Sequence, residues 1–331
     1  MRILVTGGAG FIGSAFVRNV IADAYPGLEG AEVVVLDKLT YAGNLANLES
    51  VADSDRYSFE QGDICDPELT AKLVGNADAV VHFAAESHVD RSILGGADFV
   101  MTNVLGTQTL LQAALNTKLQ KFVHVSTDEV YGSIDEGSWD EQQPLQPNSP
   151  YSASKAGSDL IALAYARTHG LPVSITRCSN NYGPYQFPEK VIPLFVTNLI
   201  DGRSVPLYGE GANVRDWLHV EDHCRGIALV LGGGRPGEVY NIGGGTELTN
   251  AELTYRLIEA TGRDESSIER IPDPRGGGHD KRYSVDISKI HDELGYSPQV
   301  PFEQGLTDTI AWYVDHRDWW EPLKARSVID R

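Results

Sequence analysis

Short apolar runs alternate with helix-like stretches through the first half of the chain, and this alternation limits the fold more than any other feature. The runs RILVTG (2–7), EVVVLD (32–37), YSFEQGD (57–63), DAVVHFAA (78–85), KFVHVST (121–127) and PVSITRC (172–178) read as strands. Those continuous in Val, Ile and Leu have the pattern of a parallel sheet covered on both faces. Between them, 14–24, 67–74, 102–116 and 150–168 read as helices. Strand alternating with helix predicts an α/β, Rossmann-like, doubly wound parallel sheet.

After about Asn180 the punctuation changes. NNYGPYQFPEK, DGRSVPLYGEGANVRDW and PDPRGGGHDKRY are rich in Gly, Pro and aromatics, as ligand-covering loops are. We expect residues 1–180 to form a nucleotide-binding domain and 181–331 a smaller α/β region bearing mainly the substrate. The segments 172–181 and 237–242 (GEVYNI) are expected to return to the main sheet. No linker or repeat separates the two parts.

The formal net charge is −19, with 46 acidic against 27 basic residues. Such a surface repels polyanions and argues against nucleic acid as a partner, while leaving room for a small anion at a helix N-terminus. The three cysteines, Cys65, Cys178 and Cys224, are too far apart for a zinc knuckle or a disulfide framework, so reduced buried thiols are expected. No 18-residue apolar run occurs and MRILVTGGAGFIG has no h-region, so no membrane contact and a cytoplasmic location are expected.

VTGGAGFIG places Gly7, Gly10 and Gly13 directly after the first strand. Glycines at this spacing let the chain turn tightly, approach a pyrophosphate and pack the next helix close to the sheet, whose N-terminus favours phosphate. Taken alone the triplet fits any tight strand-to-helix turn. Asp37, closing the second strand, adds an acceptor for both ribose hydroxyls and opposes a 2′-phosphate, which favours NAD over NADP, although Lys38 is adjacent. Asp63 and Ile64 end the third strand where an adenine edge would lie; a solvated Asp63 is the alternative.

SPYSASKAG contains Tyr151 and Lys155 at helical i, i+4 spacing, with Ser149 and Pro150 suited to starting the helix. A nearby ammonium favours the phenolate, so Lys155 is expected to lower the Tyr151 pKa and make it an acid/base. Asp128 and Glu129 follow the strand KFVHVST. Adjacent acids recur at Asp140–Glu141 and Asp292–Glu293 and prove nothing alone. Neighbours on a regular strand point to opposite faces, so both reach one ligand only where the strand breaks, at its C-terminal end. Two carboxyls beside a hydride-transfer site suit elimination, one removing a carbon-bound proton and the other protonating a departing hydroxyl; capping the next turn is the alternative.

With these motifs the chain resembles the extended short-chain dehydrogenase/reductase superfamily along essentially its whole length, Thr127 standing where that superfamily has a Ser or Thr. STDEVYG, HFAAESHVDRSI, YSASKA, NNYGPYQFPEK, RDWLHVEDHCRGI and KIHDELGY narrow the resemblance to the dTDP-glucose 4,6-dehydratase family, especially its actinomycete members in deoxysugar biosynthesis. The resemblance implies a hydro-lyase using NAD on dTDP-glucose, acting as a homodimer through helices 102–116 and 150–168. Tyr151, with Thr127 and Lys155, takes the 4-hydroxyl proton; Glu129 then removes the C5 proton while Asp128 protonates the C6 hydroxyl. It implies further cofactor contacts at Phe11, Ile12, Lys38, Leu39, Thr40, Phe83, Ala84, Ala85, Ser87, Thr102 and Asn181. Substrate contacts are implied at Ser87, Thr127, Asp128, Glu129, Asn180, Glu189, Lys190, Pro206, Tyr208, Arg215 on the diphosphate, Asn250, Arg275 and His279. No metal is implied. The loop DPRGGGHD (273–280) departs from the family's Asp-Arg-Pro-Gly-His-Asp, which shifts Arg275 and weakens its assignment. A related epimerase, decarboxylase or GDP-mannose dehydratase, and a non-catalytic NAD-binding module, are the other readings.

Overall fold

The structure is a computed structural model that describes residues 1–276 and 279–325. Its strands are β1 (Arg2–Thr6), β2 (Glu32–Asp37), β3 (Tyr57–Gln61), β4 (Ala79–His82), β5 (Lys121–Thr127), β6 (Val173–Cys178), β7 (Asn180–Tyr182), β8 (Val205–Tyr208), β9 (Val214–His219), β10 (Val239–Ile242), β11 (Glu247–Thr249) and β12 (Ile268–Ile271). A seven-stranded sheet runs β10-β6-β5-β4-β1-β2-β3, every neighbouring pair parallel. The expected fold class is therefore present, and 239–242 does return to the main sheet.

Side chains alternate across the sheet and feed a core on each face. Ile3, Val5, Val35, Val81 and Val123 pack with Phe16 of helix Phe11–Ile21 and Ile227 of helix Val220–Gly233. Leu4, Leu36, Val80, Phe122 and Ile175 pack on the other side with Leu110 of helix Thr107–Ala114 and Ala162 of helix Pro150–His169. This double coverage is why these strands read as continuous apolar runs. Strand order reverses between β1 and β4, so a crevice opens at their C-terminal ends.

Two expectations need correction. Segments read as loops after Asn180 contain β7, β8 and β9; β7 and β11 flank β9 in a three-stranded sheet, and β8 pairs with β12. Strands this short carry no readable period, and their pairing comes from distant partners. The helix expected over 102–116 is π-helical from Val100 to Gly106 and α-helical only from Thr107 to Ala114. Asn103 interrupts it: its Oδ1 accepts from the Glu86 amide at 2.8 Å, and its Nδ2 donates to the Glu86 carbonyl at 3.0 Å and to Ser154 Oγ at 2.8 Å. Wide turns of this kind mark functional sites.

Beyond the main sheet, Ile192, Phe195, Trp217, Leu253, Leu257, Phe302, Ile310 and Trp320 form a separate core for the C-terminal elements.

Candidate active site

The crevice is a cleft of about 690 Å³. It is lined by Gly7, Gly10, Phe11, Ile12, Gly13, Asp37, Lys38, Thr40, Asp63, Ile64, Phe83, Ala84, Ala85, Ser87 and Thr102 at one end. Thr127, Asp128, Glu129, Tyr151, Lys155, Asn180, Asn181, Glu189 and Lys190 line the rest. Two glycines are held there by sterics. Gly7 has φ +71°, and a Cβ on it would lie 2.6 Å from the Ala84 amide nitrogen; a Cβ on Gly13 would collide with the Gly7 carbonyl.

The buried Asp37 carboxylate accepts from the Ala9 amide at 3.0 Å and the Leu39 amide at 2.8 Å, tying the glycine turn to the segment after β2. Burial raises its pKa against those bonds. Leu39 takes a left-handed backbone (φ 57°) and packs, partly buried, against the core. Lys38 is paired with Asp63 at 2.7 Å, and Asp63 also accepts from the Cys65 amide at 2.9 Å. The cation beside Asp37 is therefore already engaged. Cys65 is half-buried at the cleft wall; Cys178 and Cys224 are buried, and all three are free.

At the other end β5 stops at Thr127, and Asp128–Tyr131 forms a 3-10 turn. Thr127, not either acid, caps it: its Oγ1 accepts from the Glu129 amide at 3.3 Å and donates to Asp128 Oδ1 at 3.3 Å. Both acids are freed to face the ligand side. Asp128 is buried and its Oδ2 has no hydrogen-bond partner among the described residues. Burial, then the charges of Glu129 and Asp216, push it well above the usual carboxylate range. Burial also raises Glu129, but Lys190, Arg215 and Arg275 draw it back.

Ser149 caps the tyrosine helix through a box with Ser152, and Pro150 occupies the first turn. Tyr151 and Lys155 both turn inward, but the expected depression of the tyrosine is reversed. Burial, then the charge of Glu129, push Tyr151 up. Lys155 donates instead to the Val125 carbonyl at 2.8 Å, and burial pushes it down to about 8. Desolvation outweighs an ammonium anchored to a backbone oxygen.

The remaining expected residues lie outside the cleft lining. Arg215 donates to the Asp280 carbonyl at 2.9 Å and stacks 4.4 Å from the Tyr283 ring centre. Arg275 is 5.5 Å from the Tyr208 ring centre, and Tyr208 meets His279 edge-on at 6.4 Å. Pro206 lies in β8 beside Tyr208, and Asn250 opens helix Asn250–Ala260 with its amide on Asn213. Arg215 and Arg275 both act on the charge of Glu129, so this group adjoins the cleft there. Gly277 and Gly278 of the departing loop are outside the described residues. Glu189 does line the cleft, but Arg91 holds both its oxygens at 2.8 and 2.7 Å.

Sequence reasoning missed Asn103, Arg91, Tyr41 and Asp216. Asp216 accepts from Ser179 Oγ at 2.7 Å and from the Gly244 and Thr246 amides at 3.0 and 2.8 Å. An asparagine inside a helical run is locally unfavourable, and that was the signal available for Asn103.

A model of the GDP-mannose 4,6 dehydratase family matches residues 4–309. A dTDP-glucose 4,6-dehydratase of Streptomyces niveus is 61% identical over 98% of this chain and 96% of its own length. One from Escherichia coli is 47% identical over 98% of this chain and 96% of its own. The crystal structure of DesIV, a dTDP-glucose 4,6-dehydratase from Streptomyces venezuelae with NAD and TYD bound, matches with TM-score 0.96 and 64% identity, covering 98% of this chain and 100% of that one. A UDP-glucuronic acid 4-epimerase from Bacillus cereus matches with TM-score 0.88 at 29% identity, over 95% and 99% of the two chains. Fold and site together define an enzyme of the extended short-chain dehydrogenase/reductase class that works on sugar nucleotides. Within it the chain belongs to the dTDP-glucose 4,6-dehydratase family.

Proposed function

We propose that this protein is an NAD-dependent hydro-lyase that converts dTDP-glucose to dTDP-4-keto-6-deoxyglucose and water in deoxysugar biosynthesis. The observation that carries the reading is the split environment of Asp128 and Glu129 beside Tyr151. The relatives from Streptomyces niveus and Escherichia coli, and DesIV, are named dTDP-glucose 4,6-dehydratase.

The residues present fit a dinucleotide. Gly7 and Gly13 leave a cradle that a Cβ would fill, Asp37 at the end of β2 would accept from the ribose, and Lys38 is tied to Asp63 rather than free for a 2′-phosphate. Gly7, Gly10, Gly13, Asp37, Asp63, Ile64, Phe83, Ala84, Ala85 and Thr102 would hold it. When bound, it supplies a reversible hydride acceptor, taking hydride from sugar C4 and returning it to C6.

In the loaded site Tyr151 would act as its phenolate to accept the proton of the 4-hydroxyl, with Thr127 beside it at the end of β5. Lys155, with a pKa of about 8, keeps its ammonium at neutral pH and holds the tyrosine helix against β5. The 4-ketone acidifies the C5 hydrogen, and Glu129, kept ionisable by Lys190, Arg215 and Arg275, takes it. Asp128, kept protonated by its surroundings, delivers its proton to the C6 hydroxyl. The C5–H and C6–O bonds break, a C5–C6 double bond forms, and water leaves. Glu129 would return its proton to C5 as hydride is returned to C6, and exchange with solvent would remove the proton from Tyr151 and reload Asp128. Arg215 would pair with the diphosphate, and Asn180, Ser87 and Lys190 would surround the sugar.

In this reading residues 1–180 serve the cofactor and 181–331 mainly the sugar nucleotide, in a cytoplasmic homodimer. Val100, Met101 and Leu105 on one helical segment, and Leu160 on the neighbouring tyrosine helix, are 55%, 51%, 41% and 59% exposed. The two helices are joined by Gln108 and Tyr165 at 3.1 Å. A second copy would cover this apolar face. Among the described residues no helix is long and apolar enough to cross a membrane.

The test is mass spectrometry of the product after incubation with dTDP-glucose and catalytic NAD. Loss of one water without net NADH accumulation is expected. An unchanged sugar mass, with water loss from a UDP- or GDP-sugar instead, overturns the substrate; no loss from any of them overturns the dehydratase reading.

A further inference from the structure

Resting on the reading above, the cofactor must stay bound between two hydride transfers, and the fold contains a contact built across the cleft that does this. Tyr41 stands on the segment after β2, and Phe187 and Glu189 stand on the facing segment after β7; all three line the cleft. Tyr41 and Phe187 meet edge to face at 5.6 Å and 81°. Arg91, from the short helix Val89–Leu94, completes the bridge in two ways. The edge of its guanidinium donates to Glu189 Oε1 and Oε2 at 2.8 and 2.7 Å, and its face lies 3.9 Å from the centre of the Tyr41 ring.

The bridge is tied down on both sides. The Tyr41 segment is attached to the glycine turn, the Asn44 amide donating to the Ala9 carbonyl at 3.0 Å. Beside Glu189, Lys190 Nζ donates to the Ser87 carbonyl at 2.9 Å, and the residue before Arg91, Asp90, pairs with Arg275 at 2.5 Å. The Glu189 side chain is fully buried, and its other basic neighbour, His88 at 3.3 Å, is held neutral by burial. Parting Arg91 from Glu189 in place leaves a buried charge without its cation, so the closed arrangement is strongly preferred. Only an arginine can use a bidentate edge and an aromatic face together.

We propose that Arg91 is a positioning residue that pins Tyr41 and the Phe187–Glu189 segment together across the cleft, and so retains the dinucleotide between the two hydride transfers.

The test follows NADH fluorescence as full-length protein loaded with NADH is chased by excess NAD, with no sugar present. Arg91→Gln and Tyr41→Ala should release NADH about tenfold faster or more, which corresponds to about 1.4 kcal/mol. Arg91→Lys should fall between, and Tyr41→Phe, which keeps the ring, should match wild type. Should Arg91→Gln fail to fold, the Arg91→Gln/Glu189→Gln pair removes both charges and takes its place, while Tyr41→Ala leaves the ion pair intact. Release within about twofold of wild type in both Tyr41→Ala and the foldable Arg91 variant overturns the clasp. Because the measurement needs no sugar, faster release in a protein that leaves dTDP-glucose unchanged keeps the clasp and removes the substrate assignment. Normal release in an active dehydratase does the reverse.

Discussion

Asp128 and Glu129 are consecutive residues of one 3-10 turn, yet Asp128 is pressed by Asp216 and Glu129 while Glu129 is drawn upon by Lys190, Arg215 and Arg275. Environments that separate two carboxyls in this way assign the acid and the base. Burial raises both carboxyls, Asp128 the further, while Glu129 alone of the two has Lys190 and Arg275 acting on it. The same two residue types on an exposed turn would titrate together.

Glu129→Gln should therefore lose proton removal at C5 while still permitting oxidation at C4. The expected result is a fall of about 10²–10⁴ in dehydration, with a 4-keto sugar retaining its C6 hydroxyl and no uptake of solvent deuterium at C5. Tyr151→Phe should stop the reaction before any ketone forms. Mass spectrometry of quenched mixtures in D₂O separates the two; deuterium at C5 in Glu129→Gln would remove Glu129 from the base role.

The raised Asp128 pKa also has a stability consequence. A carboxyl whose folded-state pKa exceeds its unfolded value of about 3.9 holds its proton more tightly when folded. Its contribution is fully present below that value and is lost as pH rises toward the folded pKa. Asp128→Asn keeps the shape without the titration. This variant should melt higher than wild type at about pH 7 and lose that advantage at about pH 4. In activity, wild-type dehydration should rise as Glu129 ionises and fall on the alkaline side as Asp128 deprotonates. Thermal melts at both pH values, and a dehydration–pH profile, check the two limbs.

The turn carrying both acids rests on a buried ion pair. Asp159 pairs with Arg177 at 2.9 Å and His124 at 3.3 Å, and Arg177 donates to the Tyr131 hydroxyl at 2.8 Å. The surrounding cations overcome burial and hold Asp159 down to about 2. That stabilisation is present above the unfolded pKa and is lost as pH falls from about 4 toward 2. Asp159→Asn should destabilise the fold by about 3–5 kcal/mol at neutral pH, because the buried Arg177 loses its counter-charge. Urea unfolding measures it; adding Arg177→Met should recover part of the loss, and a loss below about 1 kcal/mol would show that Arg177 finds another partner.

What was legible in the sequence follows from locality. Strand β1 is buried at four of its five positions and reads as one apolar run, while Ser149 and Pro150 mark their helix through contacts within its first turn. The π-helical segment was not legible, because its shape is imposed by Asn103 reaching Glu86 and Ser154 rather than by any period of its own. The Arg91–Glu189 pair joins residues 98 apart, and nothing in either neighbourhood names the other. The Tyr151–Lys155 spacing puts both side chains on one helix face, but it carries no sign of the burial that raises the tyrosine, which is a property of the whole fold.

The apolar face on the two helices yields the last prediction. Leu160 is 59% exposed and Met101 51%, and Thr102 beside Met101 lines the cleft. Covering one such leucine on a partner contributes about 1.5–3 kcal/mol, and a two-fold axis counts each substitution twice. Wild type should sediment as a dimer and Leu160→Asp as a monomer at micromolar concentration. Because Met101 is half exposed and, with Thr102, also lines the cleft, the monomer should also bind NADH more weakly, although Leu160 does not line the cleft. Sedimentation velocity and NADH titration test the two parts separately. A Leu160→Asp protein that remains dimeric places the interface elsewhere; a monomer with unchanged NADH affinity keeps the interface but removes its coupling to the cofactor cleft.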